Sequence, residues 1–162
     1  MKVIFLDFDG VLSADSFRFA ADFNVLPTNK ELTILQNNND IDLKDRRWIN
    51  RKHVKFLNKI IAATDAKVVV TSDWRITSSI NKLQIILNHC GFNGQVIGKT
   101  PSLMAPRGLE IQDWIDNNGP IDSFVIIDDR DDMAHLIDRL VLVNPSKGFQ
   151  QYHVGKAVQL LK

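Results

Sequence analysis

Residues 3–10 read Val3-Ile4-Phe5-Leu6-Asp7-Phe8-Asp9-Gly10: four apolar residues run into two carboxylates that flank a phenylalanine, with a glycine behind them. An apolar run without polar alternation is the pattern of a strand buried on both faces of a parallel sheet. An acid at the end of such a strand loses hydration, and a second acid one residue away adds repulsion, so the pair calls for a cation between them. Gly10 has no Cβ, which lets the backbone turn sharply there and come close to a ligand. Phe8, pointing to the opposite side from its two neighbours, belongs to the core.

Similar Val- and Ile-rich runs recur at residues 67–70, 95–97, 124–127 and 140–143. Helical spacing fills the intervals. Val54, Leu57 and Ile61 share one face, and Ile80, Leu83, Leu87 and Cys90 another, with Gly91 where that helix would stop. A third helix is predicted from about Arg107 through Ile111, Trp114 and Ile115, ending before Gly119-Pro120. Met133, Leu136 and Ile137 suggest a fourth, and Val154, Val158 and Leu161 a fifth. Strands alternating with helices predict an α/β fold: a doubly wound, mostly parallel five-stranded sheet with helices on both faces.

A chain of 162 residues suits one domain spanning residues 1–162. Residues 13–48 fit neither period and read as a small cap or flap inserted over the carboxyl edge of the sheet. The 44% hydrophobic and 24% charged content is that of a soluble globular protein, and a net charge of +1 gives no global field for nucleic acid or membrane. Cys90 is the single cysteine, so no internal disulfide forms. Together with the lack of a signal-like start or a membrane-length apolar run, this gives the expectation of a cytoplasmic protein with no membrane association and no obligate protein partner. The stretch Lys44, Arg46, Arg47, Arg51, Lys52, His53, Lys55 and Lys59 reads either as a solvated face or as a positive rim for an anionic substrate.

Ligands of open α/β sheets bind outside the carboxyl ends of the strands. Two strands here end in paired acids, Asp7 and Asp9 after the first and Asp128-Asp129 after the fourth. Helix capping explains one Asp per strand end, but not doubled acids at two ends. A cluster of oxygens without histidine or thiol suits a hard ion, Mg2+ above all.

Asp7-Phe8-Asp9-Gly10-Val11-Leu12 resembles the first signature of the haloacid dehalogenase (HAD) superfamily of phosphohydrolases. Val68-Val69-Val70-Thr71-Ser72 resembles its second motif, and Ile126-Ile127-Asp128-Asp129-Arg130-Asp131-Asp132 its fourth, in the same order. With Thr71-Ser72-Asp73-Trp74-Arg75, Val96-Ile97-Gly98-Lys99-Thr100-Pro101 and Arg107-Gly108-Leu109-Glu110-Ile111 added, nearly the whole chain is similar to the small HAD domain that occurs alone and within Swiss army knife RNA-repair proteins.

The resemblance implies a HAD-like Rossmannoid fold and a Mg2+-dependent phosphomonoesterase. Asp7 would be the nucleophile, forming an aspartyl-phosphate. Asp9 would transfer the proton and lend its backbone carbonyl to the metal. The metal set would be Asp7, Asp9, Asp128 and Asp129, with either of the last two touching the ion and Asp132 ligating directly or holding water. Thr71, or Ser72 if the strand ends a residue later, would donate to the phosphoryl group. Lys99 and Arg107 compete for the third-motif cation, with Arg107 preferred because it opens a helix leading to the sheet's active edge. Gly10, Ser72, Trp74 and Arg75 would line the substrate site, the indole stacking on a base and the guanidinium clamping a second phosphate. The expected substrate is a phosphorylated small molecule, such as a nucleotide, or a nucleic-acid end. Two rival readings are an inactive or weak HAD-like phosphate- or nucleic-acid-binding module and a phospho-acceptor receiver domain. The receiver layout wants an acid after the third strand, where this chain has Gly98-Lys99.

Overall fold

The computed structural model describes residues 1–14 and 49–162. In chain order the elements are β1 (Lys2–Leu6), α1 (Arg51–Thr64), β2 (Lys67–Val70), α2 (Trp74–Thr77), α3 (Ile80–His89), β3 (Val96–Lys99), α4 (Arg107–Asn117), β4 (Ser123–Asp128), a 3-10 helix (Ala134–Arg139), β5 (Leu140–Leu142) and α5 (Gln151–Leu160). The strands form one five-stranded sheet in the order β3-β2-β1-β4-β5, and every pairing is parallel. The expected insertion at 13–48 lies outside the described residues except for Ser13 and Ala14, both buried, with Ser13 bridging to Asp9.

Both faces of the sheet are covered, which is why its strands lack polar alternation. Ile4, Leu6, Val68, Val70, Val125 and Ile127 pack with Val54, Leu57, Leu83, Leu87 and Ala157 on one side. Val3, Phe5, Val69 and Ile126 pack with Ile111, Trp114 and Leu136 on the other. Successive residues of a strand point to opposite faces, so a single central strand feeds both cores. The helix starting at Arg107 and ending before Gly119 is found as expected, and Asn50 caps α1 by accepting from Lys52 N at 2.9 Å.

The fully buried residues of α1 are His53, Val54, Leu57 and Ile60, with Ile61 partly buried against the same core. One helical expectation shifts. The fourth helix is a 3-10 helix, with Leu136 buried and Ile137 46% exposed. The six residues from Ala134 to Arg139 between the acidic loop and β5 give too little length for α-helical periodicity to establish itself, and tight 3-10 turns serve as short connectors.

His53 also leaves the basic rim in which the sequence grouped it. It is 3% exposed, its Nδ1–H donates to Leu12 O at 3.2 Å, and burial lowers its pKa. Among the described residues, no helix is long and apolar enough to cross a membrane.

Candidate active site

β1 pairs with β2 on one side and β4 on the other. The chain after β1 runs toward β2, whereas the chain after β4 runs the opposite way to β5, so the topological switch point lies between β1 and β4. Leu6 is in register with Val70 and with Ile127. One residue later, Asp7, Thr71 and Asp128 therefore reach the carboxyl edge at the same level, with Asp7 N donating to Ile127 O at 3.0 Å and Thr71 N to Leu6 O at 2.9 Å. Leu6, Val70 and Ile127 face the α1 side, so the pleat turns the next residue of each strand toward α4.

Helix α4 delivers the counter-charge from that side. Arg107, 4% exposed, donates from Nη1 to Asp7 Oδ1 at 3.3 Å and to Thr71 O at 2.6 Å, and lies 3.3 Å from Asp128 Oδ2. Burial opposes its charge, yet Asp128 and Asp7 outweigh that and raise its pKa further. Its backbone N–H donates to Asp132 Oδ2 at 3.1 Å, tying the start of α4 to the acidic loop after β4. Gly108 makes that approach possible: a Cβ there would stand 2.0 Å from Met133 O, a backbone atom that cannot swing aside.

Lys99 goes elsewhere. It stands in register with Val70, one residue short of the level of Thr71, so the pleat sends it to the opposite face from Arg107. Its Nζ donates to Arg75 O at 2.7 Å and Ser78 O at 2.9 Å, which holds the end of α2.

Asp7, Asp128 and Asp129 each offer a carboxylate oxygen within 4.8 Å of the others. Desolvation is the main reason the Asp7 pKa rises to about 6, partly offset by Arg107, and the Asp128 pKa rises to about 7, where Asp7 adds repulsion. Asp129 is raised as well, again chiefly by burial. Asp128 Oδ1 accepts from Arg130 N at 2.9 Å, while its Oδ2 is buried without a hydrogen-bond donor, as is Asp132 Oδ1. Three carboxyls facing one guanidinium leave a surplus of negative charge, and an all-oxygen set with undonated buried oxygens fits a hard divalent cation. Asp9 stands apart from this group: its Oδ2 accepts from the indole Nε1 of Trp74 at 3.0 Å.

The neighbouring hydroxyls carry unused donors. Thr71 Oγ1 and Ser72 Oγ are both buried and have no hydrogen-bond partner. Arg107 and Arg130 line a cleft of about 160 Å3 together with Ser102 and Met104.

Arg75 does not take the role the sequence suggested. It is 4% exposed, and its five N–H donors go to Thr100 O, Thr71 O, Asp73 Oδ1, Pro101 O and Glu110 Oε2, the last at 2.6 Å. A fully engaged guanidinium has no donor left for a second phosphate. Glu110, which sequence reasoning quoted only as part of a motif, completes this network and accepts Leu103 N at 2.8 Å on its other oxygen. The signal was available: Glu110 lies three residues after Arg107, so both share one face of α4.

Gly10 meets the demand for a sharp turn and leaves room for Asp129. Its φ is +74°, and a Cβ would fall 2.3 Å from Asp129 Oδ2 and 2.6 Å from Asp129 Cγ. Gly10→Ala is expected to cost about 1–3 kcal/mol through the left-handed backbone and to push Asp129 off the other two acids. Thermal melts with and without Mg2+ check this: the variant melts lower and loses most of the shift that Mg2+ gives the wild type.

No curated protein and no solved structure shows significant similarity to the chain. The family model described as the HAD domain in Swiss Army Knife RNA repair proteins matches residues 3–154, a span containing every residue of the site. On that match, which joins the motif acids to the parallel sheet carrying them, the chain belongs to the family of HAD domains found in Swiss Army Knife RNA repair proteins.

Proposed function

We propose that the chain is a Mg2+-dependent phosphomonoesterase that works through an aspartyl-phosphate on Asp7, with a nucleotide or a phosphorylated nucleic-acid end as substrate. HAD-family membership supports a phosphatase-type hydrolase at the coarse level. The observation that carries the finer reading is the convergence of Asp7, Asp128 and Asp129 at the switch point, with Arg107 against the first two.

An anionic nucleophile must approach an anionic phosphate. A Mg2+ held by Asp7, Asp128 and Asp129 supplies the charge neutralisation that allows this. One Asp7 carboxylate oxygen attacks phosphorus, and the bond from phosphorus to the leaving oxygen breaks as the new one forms. Asp9 gives its proton to the leaving oxygen, then takes one from the water that attacks the aspartyl-phosphate, releasing inorganic phosphate and freeing Asp7. The Thr71 hydroxyl donates to a phosphoryl oxygen, with Ser72 beside it, and Arg107 balances the charge that builds on the transferring group.

The RNA-repair setting of the family supports a nucleic-acid end. A net charge of +1 suits a terminal phosphate better than a duplex, whose binding draws on many phosphate contacts. At the start of α1, Arg51 and Lys52 are exposed beside the loop after Asp9, where Asn50 N donates to Leu12 O.

Release of phosphate in the presence of Mg2+ from p-nitrophenyl phosphate, mononucleotides and end-phosphorylated oligonucleotides tests the reading. Turnover of the oligonucleotides above the others is the expected result. Binding of phosphorylated ends without any turnover would instead establish the inactive binding module.

Metal and proton compete for the same oxygens, which gives a second test. The folded-state values of about 6 and 7 for Asp7 and Asp128 lie above the ordinary 3.8. Without metal, the folded protein therefore binds protons more tightly than the unfolded chain and loses stability as pH rises from about 4 through 7. Mg2+ binds the deprotonated form, so its stabilisation grows over the same window. At a hundredfold excess over Kd the gain is about 2.7 kcal/mol, or roughly 5–10 °C in Tm. A melting shift at pH 8 that collapses at pH 5 is expected; equal shifts at both would place the ion elsewhere.

A further inference from the structure

We propose that Trp74 is the positioning residue for proton transfer: its indole N–H holds the Asp9 carboxyl in the orientation from which the leaving oxygen is protonated. The inference rests on the phosphomonoesterase reading and assigns within it a role that replaces base stacking by this side chain.

Asp9 sits at the head of a tight turn in which Leu12 N and Ser13 N both donate to Phe8 O at 2.8 Å. Gly10, in the left-handed conformation, follows immediately. The Asp9 carboxyl is thus carried by the turn of this loop. Trp74 reaches it from 65 residues away, and its Nε1 donates to Asp9 Oδ2 at 3.0 Å.

The indole itself is rigidly mounted. Its ring meets Phe8 edge-on, with centroids 5.4 Å apart and planes at 72°, and Phe8 is fully buried. Trp74 opens α2, whose far end is pinned by the Lys99 ammonium on Arg75 O and Ser78 O. The next residue, Arg75, is locked by its bonds to Glu110 and the Thr71, Thr100 and Pro101 carbonyls. Three fixed points thus set where the N–H points.

The chemistry of the donor matters as much as its position. Indole N–H donates only and neither takes up nor gives up a proton near neutral pH, so it steers Asp9 without competing for the transferred proton. When Asp9 carries the proton it is to deliver, the oxygen that accepts from the indole N–H serves as its carbonyl oxygen, which leaves the hydroxyl on Oδ1. Trp74 thereby selects which oxygen delivers it. In the first half-reaction that proton moves from Oδ1 to the leaving oxygen as the phosphorus–oxygen bond breaks and the bond from Asp7 to phosphorus forms.

Trp74→Phe keeps an aromatic ring against Phe8 and deletes the donor. The informative quantity is kcat/KM, which covers the steps up to cleavage of the leaving group, measured with two kinds of ester. p-Nitrophenolate departs without a proton; the alcohol of glycerol phosphate or of a nucleoside monophosphate requires one. The expected result is a loss of roughly 10- to 100-fold on the alkyl esters, a part of the ~10²–10⁴ that general acid catalysis supplies, with less than about threefold on p-nitrophenyl phosphate. In an Asp9→Asn background the same substitution is expected to add nothing, because its effect passes through Asp9. Equal losses on aryl and alkyl esters would mean packing alone and would overturn the proposal. So would an undiminished effect in the Asp9→Asn background, or a loss confined to nucleotides and absent with glycerol phosphate, the mark of a stacking platform. If the wild-type protein turns over none of these esters, the phosphomonoesterase reading fails and takes this one with it, an outcome distinct from an active enzyme indifferent to Trp74→Phe.

Discussion

Asp7→Asn is expected to lower kcat by about 10⁴-fold or more, the scale on which loss of a nucleophile is felt, while leaving the metal-free protein no less stable at pH 8. The two effects have one cause. Asp7 is buried, and its carboxylate is held in the ionised form against a desolvation cost that Arg107 offsets only in part. Asparagine keeps the shape and removes the charge. The Arg107 guanidinium still has Asp128 and Thr71 O as neighbours, so it is not stranded. A tenfold change corresponds to about 1.4 kcal/mol of transition-state stabilisation, so the loss is equivalent to roughly 5–6 kcal/mol. Phosphate release and a thermal melt on the same preparation are the measurements. Turnover near the wild-type level removes Asp7 from the nucleophile's role. A collapse of the fold along with activity would mean that the acid serves structure.

Arg75→Met is expected to give the largest fall in stability, about 3–5 kcal/mol, or roughly 6–20 °C in Tm. Arg75 and Glu110 are 4% and 5% exposed and 2.6 Å apart. Removing the guanidinium leaves Glu110 as a buried charge and deprives the Thr100 and Pro101 carbonyls of their donor, while Thr71 O keeps Arg107 Nη1. Adding Glu110→Gln should recover a good part of the loss, since the amide still accepts Leu103 N without carrying charge. Thermal melts of the single and double variants check both steps. Were Arg75 a phosphate clamp instead, Arg75→Met would raise KM and leave Tm nearly untouched.

The contrast between Arg75 and Arg107 shows what the sequence could and could not convey. The five strands and the acids at the ends of β1 and β4 were legible because burial on both faces leaves a run of Val, Ile and Leu, and an ionisable residue ending such a run stands out. The three-element convergence of Asp7, Thr71 and Asp128 follows from that register alone. The fate of the basic residues was legible only in part: Arg107 was preferred over Lys99 as the opening of a helix, but that start alone does not decide the contact. Whether Lys99 or Arg107 meets the acids depends on pleat parity, and the β2–β3 register shifts between Val68 and Val69, which no count along the chain reveals. Arg75 looked available because its partner Glu110 lies 35 residues further on. Trp74 was read through its flat face, whereas its contact with Asp9 is made by the ring nitrogen. His53, grouped with basic neighbours by position, is on the buried side of α1 and ties down the loop after Asp9 through Leu12.

The common level of Asp7, Thr71 and Asp128 ties the chemistry to the greasy residues beneath them. If β1 slid by one position against β4, every side chain of β1 would change sides. Phe5 and Leu6 would trade cores, and Asp7 would leave the α4 side for the one packed by α1. No partly assembled site lies along that path, because the slip that misplaces the acid also dismantles both hydrophobic layers. Selection for a well-sealed interior therefore proofreads the alignment of Asp7, Thr71 and Asp128, and a misaligned chain is discarded as unfolded before it can persist.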